Sequence, residues 1–193
     1  MTICGSSAAN ESGGQRTIRC LVSAIDKSSN KGVVNCQLPR PDTLNYFVRP
    51  LLAQTAELRI RGYRQALVDC GIDPGLSRVH VGMPEDRVLV SSIVGSGADA
   101  LICSNDMEAA MVMSICDDMG IGIPDNLLIA GFDDVRFAQH LRVPLTTYHQ
   151  PCREIGITAI RIMLIRIEDP SMPARHIILN GHMVPRRSAM GIE

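Results

Sequence analysis

Asn105 and Asp133 each follow a predicted strand, and Arg59 lies on a turn of a predicted helix, three side chains whose chemistry suits recognition of a ligand. An aspartate carboxylate accepts from two neighbouring hydroxyls, an asparagine amide carries a donor and an acceptor, and an arginine offers a rigid fork suited to a ring oxygen, hydroxyls or a carboxylate. Together they are chemistry for holding a small polar molecule. Each also has a plain structural explanation. Asn105-Asp106 ahead of a helix is a common N-cap, which is how Asp106 is read here, and Asp134 is expected to cap the short helix after it. An arginine on an exposed helical turn is commonly a solvated charge. Gln150 fits a hinge contact or an ordinary turn residue and is left out of the candidate set.

Covalent and cofactor chemistry find little support. His149 and Cys152 sit three apart at a turn entering a helix, with no orienting acid in view. Gly95-Ser96-Gly97 precedes a strand where a dinucleotide loop would follow one, and the run lacks a third glycine and a phosphate-loop lysine. The seven cysteines (Cys4, Cys20, Cys36, Cys70, Cys103, Cys116, Cys152) are scattered, with no Cys-x-x-Cys pair and no histidine at zinc-ligand spacing, so free or buried thiols are expected. No enzyme activity, cofactor or metal is expected.

The elements that must position these residues emerge from patterning. A chain of 193 residues with 46% hydrophobic content accommodates one α/β domain or one domain plus part of another. No apolar run reaches the roughly 18 to 20 residues of a membrane span. The N-terminus lacks a basic start followed by an apolar stretch, which predicts a cytoplasmic protein with no membrane partner. A formal charge of −1 provides no overall basic field for nucleic acid. Residues 1–43 form an irregular segment: 1–16 are small and polar, 17–25 read as a strand, and Pro39 and Pro41 interrupt the stretch from 26 to 42. From residue 44 short β-branched runs at 44–48, 78–81, 99–103 and 126–130 alternate with helical periods, the pattern of a parallel sheet with helical crossovers. Tyr63, Ala66, Leu67 and Cys70 define a helix from about residue 55, and a second helix is expected over 84–94 with Pro84 in its first turn. Met107, Ala110, Met111, Ser114 and Ile115 define a third, closed by Gly120. After residue 130 come a Gly-Phe-Asp-Asp turn and a short helix to about His140; at 144–148 the chain is expected to leave the sheet. A helix over 151–168 and short extended pieces at 176–179 and 183–187 complete the reading.

Several stretches, in order, resemble the lactose/galactose-repressor (LacI/GalR) family of transcription regulators. Thr55-Ala56-Glu57-Leu58-Arg59-Ile60-Arg61-Gly62-Tyr63 is similar to its Arg-x-x-Gly-aromatic helix start, and Ala100-Leu101-Ile102-Cys103-Ser104-Asn105-Asp106 with Ala109-Ala110 to its Asn-Asp turn. Gly120-Ile121-Gly122-Ile123-Pro124-Asp125, Gly131-Phe132-Asp133-Asp134 and Pro144-Leu145-Thr146-Thr147-Tyr148-His149-Gln150-Pro151 complete the match, over roughly residues 47 to 188. The resemblance implies an α/β, periplasmic-binding-protein-like fold: a parallel sheet with helices on both faces, in two subdomains with the effector between them. By analogy 44–193 is the sensor, with 50–145 a complete C-terminal subdomain, 151–179 the return to a partial N-terminal subdomain and 183–187 the final crossing. The family's helix-turn-helix head has no counterpart in the first fifty residues, and the sensor is read as N-terminally incomplete.

The resemblance places Arg59, Asn105, Asp133 and also Thr55 in the effector cleft. The implied partners are a small-molecule effector, favoured by family habit to be a sugar or sugar derivative, a second copy in the full-length form, and operator DNA only through the head. This chain is therefore not expected to read DNA sequence itself. Departures are Arg49-Pro50 where the family has Gly-Pro, and the absence of an aromatic after Val81, where the loop reads Gly82-Met83-Pro84. An exported sugar-binding protein of the same fold and a non-functional truncated regulator are the alternatives. Three structural features are expected: parallel strands over 44–130, convergence of Arg59, Asn105 and Asp133 on one cleft, and a poorly covered apolar face on the 151–168 helix through Ile155, Ala159, Ile162 and Met163.

Overall fold

The computed structural model describes residues 44–48, 53–69, 75 and 78–190, with side chains omitted at 44 and 53–58. The strand expected at 17–25 and Arg49-Pro50 lie outside these. The strands are β1 (Leu44–Val48), β2 (Arg78–Val81), β3 (Ala100–Cys103), β4 (Leu128–Asp133), β5 (Thr146–His149) and β6 (His182–Val184). The helices are α1 (Ala53–Asp69), α2 (Arg87–Gly95), α3 (Asp106–Asp118) and α4 (Cys152–Glu168), with single 3-10 turns at Ala138–His140 and Arg187–Ala189. All six strands join one sheet in the order β2-β1-β3-β4-β5-β6. The first five are parallel and β6 returns antiparallel to β5. The expected parallel arrangement of 44–130 is what is found.

Both faces of the sheet are covered, which is why its strands read as continuous apolar runs. Tyr46 and Val48 of β1, Ala100 and Ile102 of β3, Leu128 and Tyr148 pack with Tyr63 and Leu67 of α1 on one face. Phe47, Leu101, Cys103 and Ile129 alternate to the other face, where Val90 and Ile93 of α2 and Ala109, Val112 and Cys116 of α3 bury them. This period-2 alternation fixes the pairing register, because a slip by one residue would exchange the faces.

Four sequence expectations are corrected by the structure. Helix α2 begins at Arg87, not at Pro84, because the Asp86 carboxylate caps it by accepting from the Val88 and Leu89 amides at 3.0 and 3.1 Å. Strand β4 starts and ends later than 126–130, since pairing with β5 carries it on to Asp133, opposite His149. Residues 146–149 do not leave the sheet; they are β5, hydrogen-bonded beside β4. No strand forms at 176–179, and the last strand is His182–Val184. The expectation for the 151–168 helix holds: no residue of α4 is buried, and Ile155 and Met163 are both exposed.

Candidate functional site

Parallel strands align their carboxyl ends, so the loops leaving β3, β4 and β5 share one edge of the sheet. Because α1 connects β1 outward to β2 whereas α2 and α3 lie on the opposite face, connections diverge between β1 and β3, where open α/β sheets form a crevice. At this edge stand Ser104 and Asn105 after β3, Asp133 at the end of β4 and Gln150 after β5, with Arg59 arriving from α1.

Arg59 donates through Nη1 to the Ser104 carbonyl and lays its guanidinium over Phe132, with the central carbon 3.8 Å from the ring centroid. One side chain thereby spans the ends of β3 and β4. Asp133 accepts from the Gln150 amide. Burial pushes its carboxyl above the usual range, while the Gln150 hydrogen bond and the positive charge of Arg59 pull it back. The same residue adopts φ +114°, a conformation that non-glycine residues rarely take, so the backbone bends sharply where the carboxylate is presented. Arg59 and Asp133 thus place a fixed cation and a half-buried acid close together at the carboxyl edge.

Asn105 is beside them, but its side chain is already engaged. Its Oδ1 accepts from the Glu108 amide at 2.8 Å, capping α3, and its Nδ2 donates to Glu108 Oε1 at 3.1 Å. The capping role assigned to Asp106 therefore belongs to Asn105. Asp106 instead points beneath the edge, accepting from the Thr147 hydroxyl and, at 2.9 Å, from the Val135 amide. Burial raises its carboxyl to about 6, against those two hydrogen bonds. Asp134 is likewise no helix cap: it takes Arg186 Nη2 at 2.7 Å on one oxygen and His149 Nδ1 at 2.9 Å on the other. Partial burial opposes its ionisation, but these two partners outweigh that and hold it below the usual range. Thr55 falls on α1, and its side chain lies outside the described residues.

Sequence reasoning leaves out Gln150, Ser104, Phe132 and Glu108. Gln150 carries a signal, lying in the Tyr148-His149-Gln150-Pro151 stretch, but not one that separates a contact from a turn. Glu108 is fully buried against the Ser104 hydroxyl at 2.6 Å, three residues after Asn105 in the spacing of a capping pair, which is the pattern that could have found it. A cavity of about 200 Å³ lies elsewhere, toward the amino ends of the strands, among Met113, Asp117, Ile121, Ile123, Leu141 and Arg142. None of the carboxyl-edge residues lines it, and its wall is mostly apolar, with Ser114 and the Arg142–Asp117 ion pair as its polar members.

Fold and edge together define an open α/β domain that presents polar side chains beyond the carboxyl ends of its strands. A model of the periplasmic binding protein-like domain matches residues 45–189, and the chain belongs to that family. It is 30% identical over 139 residues to the HTH-type transcriptional repressor PurR of Photobacterium profundum, covering 69% of this chain and 42% of the relative. The corresponding repressor of Vibrio atlanticus is 32% identical over 133 residues, covering 66% and 40%. The chain thus spans about two fifths of the length of these relatives. Among solved structures, a LacI family transcriptional regulator from Enterococcus faecium with bound ribose superposes with TM-score 0.74 at 20% identity, covering 91% of this chain and 63% of that one. The lac repressor dimer bound to operator gives TM-score 0.67 at 21% identity, covering 78% and 54%. These likenesses are of fold.

Proposed function

We propose that this chain is the small-molecule-sensing part of a LacI/GalR-type transcription regulator, and that Arg59, Asn105, Asp133 and Thr55 contact the effector at the carboxyl edge of the sheet. The observation that carries the reading is the nearness of Arg59 to Asp133 there, each oriented by another group, Ser104 and Phe132 for the arginine and Gln150 for the acid. Asp133 takes hydroxyl or N–H hydrogens, Arg59 donates to an oxygen on the same molecule, and the second amide hydrogen of Asn105 remains for a third contact. A compact ring with adjacent donors and acceptors suits this set, and a sugar or sugar derivative is the favoured class. The ribose held by the Enterococcus faecium regulator and the cellobiose held by the regulator CelR support that choice by analogy of fold.

The role is binding without catalysis. The sequence shows no acid to orient His149, yet Asp134 takes its Nδ1; among the described residues no hydrogen bond joins that imidazole to Cys152, whose thiol is exposed. Burial raises the thiols of Cys103 well above their usual range and of Cys116 to about 11, which keeps both protonated and unreactive. The full-length protein is read as a cytoplasmic homodimer that reaches operator DNA through a separate head. Among the described residues no helix is long and apolar enough to cross a membrane.

A thermal-shift screen of the chain against sugars, sugar phosphates and nucleobases tests this. A ligand bound only by the folded state stabilises by about 2.7 kcal/mol at a hundredfold excess over Kd. A rise in midpoint that is lost in Asp133→Ala is expected. A midpoint shift of equal size in Asp133→Ala would remove that residue from the site, and a flat response to the whole panel would contradict the effector class.

A further inference from the structure

The contact beneath Arg59 continues through the molecule. The guanidinium rests on Phe132, and Phe132 stacks on Tyr148 of β5 with centroids 5.1 Å apart and planes 23° from parallel. The Tyr148 hydroxyl accepts the Gly181 amide at 3.1 Å. Gly181 is the residue by which the chain re-enters the sheet into β6, after leaving it at the end of β5 through α4. Its α-carbon lies so close that a β-carbon would collide with the His149 carbonyl oxygen and stand 2.5 Å from the Tyr148 ring. Only glycine fits this approach, so the position of the tyrosine ring and the path of the returning chain are tied together. Below the planar guanidinium of Arg59, each link is a rigid ring or a backbone group. The column therefore has few ways to absorb a displacement at one end.

We propose that Phe132 and Tyr148 are positioning residues that join Arg59 to the chain's re-entry at Gly181, so that the orientation of the guanidinium and the seating of β6 depend on each other. The inference rests on the proposed function only in taking Arg59 as an effector contact; the mechanical link does not require an effector. If it holds, a molecule that draws Arg59 off the Phe132 ring loosens the return strand, and one that presses it down tightens the strand. By linkage, tightening of β6 favours the second kind of molecule.

Hydrogen–deuterium exchange of the Gly181 amide in the full chain, with no ligand added, reads the coupling directly. Tyr148→Phe removes the acceptor and should speed exchange about two- to tenfold. Phe132→Leu and Arg59→Met touch Gly181 nowhere, yet each is expected to speed its exchange in the same direction, while Phe132→Tyr, which keeps the ring, stays at the wild-type rate. The amides of Val112 and Ile129, buried on the other face of the sheet, report whether a variant is globally loosened and should not change. Acceleration at Gly181 confined to Tyr148→Phe would overturn the proposal, as would no acceleration in any variant. If Phe132→Leu loosens Val112 and Ile129 as well, Arg59→Met decides: a wild-type rate at Gly181 contradicts the coupling and a raised one supports it. Failure of the effector reading would appear in the thermal-shift screen alone, leaving the exchange result to judge this proposal by itself.

Discussion

Asp106 has almost no exposed surface, yet it carries a carboxyl whose two neighbours both donate to it. Its folded value of about 6 lies above its ordinary 3.8, so between those pH values the folded state holds a proton that the unfolded chain has released. Its contribution to stability is full below the ordinary value and is lost as pH rises through about 6, at up to about 1.4 kcal/mol per pH unit. Asp106→Asn should therefore flatten the pH dependence of the denaturation midpoint between pH 4 and 6; parallel profiles for the two proteins would contradict the assignment. Asp134 behaves in the opposite sense. Its folded value is depressed, so its contribution is present above the ordinary carboxylate range and disappears as pH falls through the folded value. Removing its partner with Arg186→Ala should cost about 1–3 kcal/mol at neutral pH in a denaturant titration, with the difference shrinking in acid. The residue scale also shows what a sequence can reveal. Asp133 and Arg59 are legible as site candidates because their motifs are local. The partners of Asp134 and Asp106 are not, because Arg186 lies 52 positions from the first and Thr147 lies 41 from the second. No spacing within a single element encodes contacts that the sheet creates.

Among the elements, α3 is the one whose start shapes the site. In sequence Asn105 reads as either a cap or a ligand contact, and Asp106 as a cap; the two positions differ by one residue, and local pattern does not choose between them. The choice is made by β4 and β5, whose Val135 amide and Thr147 hydroxyl draw Asp106 underneath and leave Asn105 to cap. Asn105→Ala should destabilise the chain by about 1 kcal/mol through loss of the cap. Asn105→Asp keeps a capping oxygen but removes the amide donor to Glu108, so a comparison of the two in thermal melts and ligand binding separates structural from recognition loss. Gly131 in β4 offers a second test, because a β-carbon there would collide with Asp106 Oδ1 and stand 3.2 Å from the Asp106 α-carbon. Gly131→Ala is expected to cost about 1–3 kcal/mol by overpacking, measured by chemical denaturation, and a neutral effect would mean that the packing beneath the edge yields freely. Strand cores are readable from β-branched runs. Their ends are not, as β4 shows, since its last residues are held by pairing with His149 and its neighbours.

At the scale of the molecule, apolar surface is unevenly distributed. The sheet buries its residues on both faces, whereas α4 shows solvent an almost continuous apolar surface, with Ile160 57%, Leu164 53% and Ile167 68% exposed. Contiguous surface of this kind marks a contact face or an aggregation liability. The chain should bind an apolar dye such as anilinonaphthalene sulfonate in its folded state, and Ile160→Lys with Leu164→Lys should reduce that binding without lowering the melting midpoint by more than about 0.5 kcal/mol equivalent, as for surface substitutions generally. The apolar face of α4 is legible from its residues at helical spacing, among them Ile155, Ile162 and Met163. The proposed effector site lies where the carboxyl ends of β3, β4 and β5 gather Arg59, Asn105, Asp133 and Gln150. Backbone amide chemical-shift mapping during titration with the ligand that gives the largest thermal shift locates the bound molecule without recourse to any variant. The perturbed amides should cluster at Ser104–Asp106, Phe132–Asp134 and His149–Gln150. Perturbations centred instead on Met113, Asp117, Ile121 and Arg142, around the cavity at the amino ends of the strands, would contradict recognition at the carboxyl edge.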